Sequence, residues 1–326
     1  MLRKRIIFFA IALCAVVTLF NVTTFAAAFP GVSDSALVSG VKAGTLPRQR
    51  DYYRPPLPPL LLSRLTARRA YVSLEKPVQL PLVRYHADDV APLASLTKLM
   101  SALVALSLHP DWSKTVTIED ADRRSGAQQR VYPGEVVSMQ DLWTLMLVGS
   151  DNDAVVAFIR GLGISEQSFV EKMNAEAKSL NLTKTTFVEP TGLSSGNLST
   201  AREYAVVARR AFAESRIAEP LAEAEAFILV SGKQRKVYNT DQELKGALPM
   251  PHIWQFISGK TGFIDESGYN VAVLGGDVVG NQMLTVVLGS ASVLNRAEDA
   301  SALLEWATET AQKMPAGEID GNRLLY

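Results

Sequence analysis

Between Leu96 and Leu108 the chain places Leu96, Leu99, Met100, Leu103, Val104 and Leu106 so that nearly every face of a helix would be apolar. A helix with no polar stripe must be enclosed by protein rather than laid on a surface. The fold is therefore expected to be built around this segment as a central helix. Ser138, followed by Asp141, is an N-terminal capping arrangement for a helix through Leu147 that Gly149 is placed to stop, and a second helix should resume after Asn152. Ser165 can cap the amphipathic run Phe169 to Leu180, and Thr200 with Glu203 reads as a capping box opening a helix to about Ala213.

Both flanks of this helical middle favour strands. Tyr71 to Tyr85 carries β-favouring residues around Pro77 and Pro81, which predicts an irregular or edge hairpin. Tyr269 to Leu274 and Met283 to Leu288 are β-rich and are joined through Gly275, Gly276, Asp277 and Gly280, a hairpin signature. Asn295 is placed to open a last helix, roughly Ala297 to Lys313. The expected class is α+β: one antiparallel sheet shared by the two ends of the body, flanked by helices, with a helical lobe inserted.

Ahead of the body, Arg3, Lys4 and Arg5 precede an apolar run from Ile6 to Val17 and then Ala26-Ala27-Ala28, the layout of a secretory signal over residues 1–28. Cleavage after Ala28 would remove Cys14, the only cysteine, and suits a periplasmic destination. An uncleaved anchor is the alternative, and only then would a membrane be a partner. Residues 29–69 hold seven cations against Asp34 and Asp51 and include Arg54-Pro55-Pro56-Leu57-Pro58-Pro59, an extended basic tether. The catalytic body is expected over residues 70–315, with a short tail at 316–326. With 33 Lys+Arg against 33 Asp+Glu, the whole chain has no charge excess that would suit nucleic acid. His86, His109 and His252 are too dispersed for a local metal motif, so a metalloenzyme reading starts weak.

Three short motifs carry chemistry. Ser95-Leu96-Thr97-Lys98 heads the central helix, where residues three apart share a face, so a hydroxyl and an amine would point into one site. A serine is a weak nucleophile until a base takes its proton, and a desolvated lysine can serve. Ser150-Asp151-Asn152 falls in a loop between helices, where Ser150 could relay a proton and Asn152 could hold an amide. Lys260-Thr261-Gly262 opens the β-rich C-terminal part, with a cation and a hydroxyl suited to a carboxylate and a glycine that admits another backbone. Singly, each motif is also what ordinary caps and strand starts look like. Their fixed order, each in the element its role requires, sets them apart.

That ordered set resembles the penicillin-recognising serine enzymes. Ala91 to Met100, Asp141-Leu142 leading to Ser150-Asp151-Asn152-Asp153-Ala154, Glu189-Pro190-Thr191-Gly192-Leu193-Ser194 and Ser199-Thr200-Ala201-Arg202 resemble the low-molecular-mass penicillin-binding proteins, the serine D-alanyl-D-alanine carboxypeptidases and endopeptidases. Within that family the short C-terminus is more similar to the penicillin-binding protein 7-like endopeptidases. The resemblance implies a β-lactamase/transpeptidase-like fold, a peptidoglycan peptide as substrate and β-lactams as inhibitors. It also implies Ser95 as nucleophile, Lys98 as its base, and Ser150 and Lys260 as the route of a proton to the leaving amine. Asn152 would orient the acyl chain, Thr261 would bind the carboxylate, Lys260, Gly262 and Phe263 would join them in binding substrate, and no metal or organic cofactor would be needed. The N–H groups of Ser95 and Phe263 would form the oxyanion hole. Two alternatives remain at this point: a class A-like β-lactamase using Glu189, and a non-catalytic peptidoglycan-binding protein.

Overall fold

The structure, a computed structural model, describes residues 56–77, 79–126, 129–240, 254–277 and 280–314. The expected signal, most of the tether and the tail lie outside the described residues. A short helix, α1 (Pro59–Leu62), precedes β1 (Arg69–Lys76) and β2 (Leu80–Tyr85), which pair antiparallel as the expected hairpin. β2 is an outer strand, and Pro81 sits on it opposite Ser73, beside a register shift. An outer strand has one edge with no ladder to complete, which is where proline is tolerated.

After β3 (Val90–Pro92) and a 3-10 turn at Ala94–Leu96, α2 (Thr97–Ser107) runs through the middle, with Thr97 through Ala105 all buried. β4 (Thr115–Thr117) and β5 (Val136–Ser138) lead to α3 (Met139–Leu147), α4 (Asn152–Gly161) and α5 (Glu166–Ser179). The side chains of Ser138, Asp151 and Ser165 cap these three helices by accepting from the third residue on. β6 (Leu198–Thr200), α6 (Ala201–Ala213) and α7 (Ser215–Ala222) follow, then the hairpin β7 (Glu225–Val230) and β8 (Lys233–Tyr238). The chain closes with β9 (Trp254–Ile264), β10 (Gly268–Asp277), β11 (Gln282–Ser290) and α8 (Val293–Lys313). Among the described residues, no helix is long and apolar enough to cross a membrane.

The main sheet is five-stranded and antiparallel in the order β2-β1-β11-β10-β9, so the two ends of the body do share one sheet. β11 is buried from Met283 to Ser290, with alternate side chains going to different cores. Leu284, Val286 and Leu288 join the large apolar cluster that contains α2, α3, α4 and α6, whereas Met283 and Val287 lie outside that cluster. α8 packs against β1, β10 and β11, bringing buried Ala297, Ala300, Leu303 and Leu304. A strand covered on both faces reads as a continuous apolar run, which is how Met283 to Leu288 looks in sequence.

Several expectations need correction. Thr200 does accept from the Glu203 amide at 3.1 Å, but the Glu203 carboxylate does not complete a capping box. It turns instead to the amides of Thr183 (3.1 Å) and Lys184 (3.0 Å) and the Thr185 hydroxyl (2.6 Å), stitching a loop to α6. The last helix starts at Val293 because Ser292, not Asn295, caps it: Ser292 Oγ accepts from Asn295 N at 3.1 Å. Gly275 and Gly276 are inside β10 rather than in its turn, while Gly280 takes φ +91°. Lys260-Thr261-Gly262 lies, as expected, in the first strand of the β-rich C-terminal part, β9. Thr66 to Arg69, expected to end the tether, are held by the body: Thr66 N and Oγ1 donate to Asp299 at 3.0 and 2.8 Å, and Arg68 N donates to Leu288 O at 3.1 Å.

Candidate active site

The turn that carries Ser95 is held from several sides before any functional group is considered. Asn270 Nδ2 donates to the carbonyls of Pro92 and Leu93 at 3.0 and 3.1 Å, and Leu93 N donates to Asn197 O at 2.9 Å. Ala94 takes φ +51°, so the chain bends sharply just before Ser95. Gly192, at φ +92°, packs against that bend; a Cβ there would stand 2.0 Å from Ala94 O. The Tyr204 hydroxyl donates to Leu96 O from a fully buried position. Ser95 thus stands at the head of α2 on a turn that has no room to relax.

Lys98, one turn on, is fully buried. Its Nζ has three neighbours: Ser95 Oγ at 3.0 Å, Asn152 Oδ1 at 2.7 Å and Thr191 O at 2.6 Å. Burial lowers its pKa to about 7, nearby Lys260 adds to the lowering, and Glu189 and Asp151 oppose it. Two of the neighbours are carbonyl oxygens that can only accept. A neutral amine has two N–H bonds and one lone pair, so with both N–H groups given to those carbonyls the lone pair is left facing the Ser95 hydroxyl.

A cleft of about 450 Å³ opens above this pair, lined by Ser95, Ser150, Asn152, Thr261, Gly262 and Phe263 among others. All the sequence-predicted site residues therefore converge, with Lys98 and Lys260 beneath the surface. Lys260 is fully buried on β9; its Nζ reaches Thr261 O at 3.2 Å and Thr240 Oγ1 at 3.5 Å. Gly262 has a definite reason to be glycine: a Cβ would stand 2.9 Å from Ser95 N and 3.0 Å from Leu96 N. The backbone of β9 therefore passes directly over the amide of Ser95. Phe263 is 46% exposed, with its ring stacked on Tyr269 at 4.3 Å between centroids.

Arg130, Thr240, Tyr269, Val293 and Arg296 also line the cleft, and sequence reasoning missed all five. None sits in a short motif, so only the folded chain could bring them forward. Glu189, the residue that a β-lactamase reading would need as a water activator, is otherwise engaged. Its Oε2 accepts from Thr191 N and Oγ1 at 2.7 and 2.6 Å, and its Oε1 from Gly192 N and Asn197 Nδ2 at 2.6 and 2.8 Å. It ties the loop under Ser95 and does not line the cleft.

A serine hydroxyl beside a buried amine of lowered pKa, on a helical head crossed by an antiparallel strand, is the arrangement of a serine hydrolase. The particular family follows from the chain as a whole: a family model described as D-alanyl-D-alanine carboxypeptidase (Peptidase_S11) matches residues 67–292, and the chain belongs to that family. A D-alanyl-D-alanine endopeptidase of Haemophilus influenzae is 35% identical over 59% of this chain and 65% of its own length. A D-alanyl-D-alanine endopeptidase of Escherichia coli is 31% identical over 71% of this chain and 73% of its own. Among solved structures, penicillin-binding protein D2 of Listeria monocytogenes in its ampicillin-bound form is 26% identical. It covers 75% of this chain and 98% of its own, with a TM-score of 0.64. The β-lactamase/transpeptidase-like α+β fold expected from the sequence is the fold observed.

Proposed function

We propose that the chain cleaves the amide bond that follows a D-alanyl residue in peptidoglycan peptides, and that it acts on cross-links as an endopeptidase. The observation that carries the chemistry is the Lys98 amine, whose two acceptor neighbours leave its lone pair to Ser95 Oγ at 3.0 Å. As Ser95 Oγ attacks the D-Ala carbonyl, its proton passes to Lys98 Nζ. The oxyanion is received by the N–H groups of Ser95 and Phe263, a reading supported by the passage of β9 over Ser95 N. When the C–N bond breaks, Ser150, backed by Lys260, delivers a proton to the departing amine. Asn152 orients the acyl chain and Thr261 binds the substrate carboxylate. Water then hydrolyses the ester, returning Ser95 and releasing the acid. A β-lactam forms the same ester but keeps its leaving nitrogen tethered, so it inhibits.

The endopeptidase preference is supported by the names of the Haemophilus and Escherichia relatives. Residues 1–28 serve as an export signal and the basic segment after them as a tether, so the enzyme works outside the cytoplasm. The test is mass spectrometry of muropeptides after incubation with purified protein: dimers converted to monomers are expected. Release of free D-Ala from pentapeptides with dimers untouched would make it a carboxypeptidase. A fluorescent penicillin should label wild type and not Ser95→Ala; label persisting in that variant would remove Ser95 as nucleophile, and an unlabelled wild type would favour a binding protein.

A further inference from the structure

Ser150 adopts φ +52°, a left-handed conformation uncommon for a serine. Arg130 supplies a constraint on it. Its Nη1 donates to Gly149 O at 2.9 Å and stands 3.9 Å from Asp151 Oδ2, an ion-pair distance without a hydrogen bond, so one guanidinium nitrogen lies against the residues on both sides of Ser150. The far end is itself fixed, because Asp151 N donates to Leu145 O at 3.0 Å and Asp151 Oδ1 caps α4 at Ala154 N, also at 3.0 Å. The near end is braced as well: Arg130 O accepts from Arg235 Nη1 at 2.7 Å, and that same nitrogen reaches Glu135 Oε2 at 2.9 Å. Space is tight around the clamp. A Cβ at Gly149 would stand 2.9 Å from Leu145 O and 3.3 Å from Arg130 Cζ. Arg130 lies in the wall of the cleft with Ser95, Ser150 and Asn152.

We propose that Arg130 is a positioning residue for proton delivery: by holding Gly149 and Asp151 it keeps the Ser150 hydroxyl on the cleft side, within reach of the leaving nitrogen. This rests on the proton-relay reading of Ser150 given above. The step affected is the one in which the C–N bond breaks and the amine nitrogen takes the proton that Ser95 released, through Ser150 Oγ. A misplacement of about 1 Å at such a step can cost ~10²-fold.

The distinguishing readout is the leaving group. A D-alanyl amide needs that proton, whereas a D-alanyl thioester expels a thiolate without it. In full-length protein, Arg130→Met is expected to lower kcat on the amide by ~10²-fold with KM little changed, while thioester turnover falls by less than about 5-fold. Arg130→Lys should recover ~10-fold of the amide rate, since an ammonium keeps the positive charge beside Asp151 but lacks the rigid planar guanidinium that aims Nη1 at Gly149 O. Should Arg130→Met fail to fold, Arg130→Lys carries the same test as a smaller amide-selective loss. Equal losses on amide and thioester, or no loss on either, would overturn the proposal. Ser150→Ala is measured alongside: an unselective effect there sinks the relay reading itself, whereas amide-selective loss in Ser150→Ala but not in the Arg130 variants sinks only the role of Arg130.

Discussion

Lys98 shows how one residue is set by its enclosure. Held at a pKa of about 7, its amine becomes neutral as pH rises through that value. The rate of acylation by a fluorescent penicillin should therefore climb between about pH 6 and about pH 8 and then level off; a flat profile across that range would remove Lys98 as the base. The same property acts on stability with a definite sign. In the unfolded chain the amine returns to its ordinary 10.5, so between about 7 and 10.5 the unfolded state binds more protons and this group makes stability rise with pH. Denaturant titrations should show wild type gaining on Lys98→Met across that window; parallel curves would contradict it. Gly192 supplies a second test at this scale. Gly192→Ala forces a Cβ to within 2.0 Å of Ala94 O at φ +92°, and should cut acylation by at least ~10²-fold. Gly163→Ala, at φ +79° with open space around it, meets only the backbone preference of about 1 kcal/mol and should leave acylation unchanged.

At the scale of elements, helix starts were the most legible feature because a cap is local: a short polar side chain and an amide three residues on settle it. Ser138, Ser165 and Thr200 were read correctly for that reason. Local reading failed where two candidates lay close together, as at Ser292 and Asn295, and where a second partner competed, as when the loop at 183–185 took the Glu203 carboxylate. Ser292→Ala should destabilise the protein by about 1 kcal/mol, read as a lowered denaturation midpoint with acylation intact. An equal or larger loss from Asn295→Ala with Ser292→Ala silent would return the cap to Asn295. The β7–β8 hairpin escaped notice because Lys233-Gln234-Arg235-Lys236 reads as a solvated run, and β7 shows its alternation only once Ile228 and Val230 are seen buried and Phe227 and Leu229 exposed.

At the scale of the molecule, the two ends of the body are tied through the β1–β11 ladder and through Asp299. That carboxylate, 3% exposed on α8, receives Thr66 N, Thr66 Oγ1 and, at 2.7 Å, Ser290 Oγ. Asp299→Ala leaves those donors without their acceptor and should cost roughly 3 kcal/mol in a chemical melt, with penicillin labelling at room temperature retained. A loss of labelling at full stability would show that the junction serves the site rather than the fold. The sequence by itself determined the central helix, the strand-rich ends, the three motifs and the family resemblance, because each is written in neighbours a few residues apart. Only the tertiary structure decided that Lys98 loses its proton near neutrality, that Thr191 O and Asn152 Oδ1 turn its lone pair toward Ser95, that Glu189 is spent on its own loop and that Arg130 reaches the Gly149 carbonyl beside Ser150. Those outcomes depend on burial and on partners far along the chain. Desolvation and hydrogen-bond competition have no value until the fold has excluded water and chosen which groups meet.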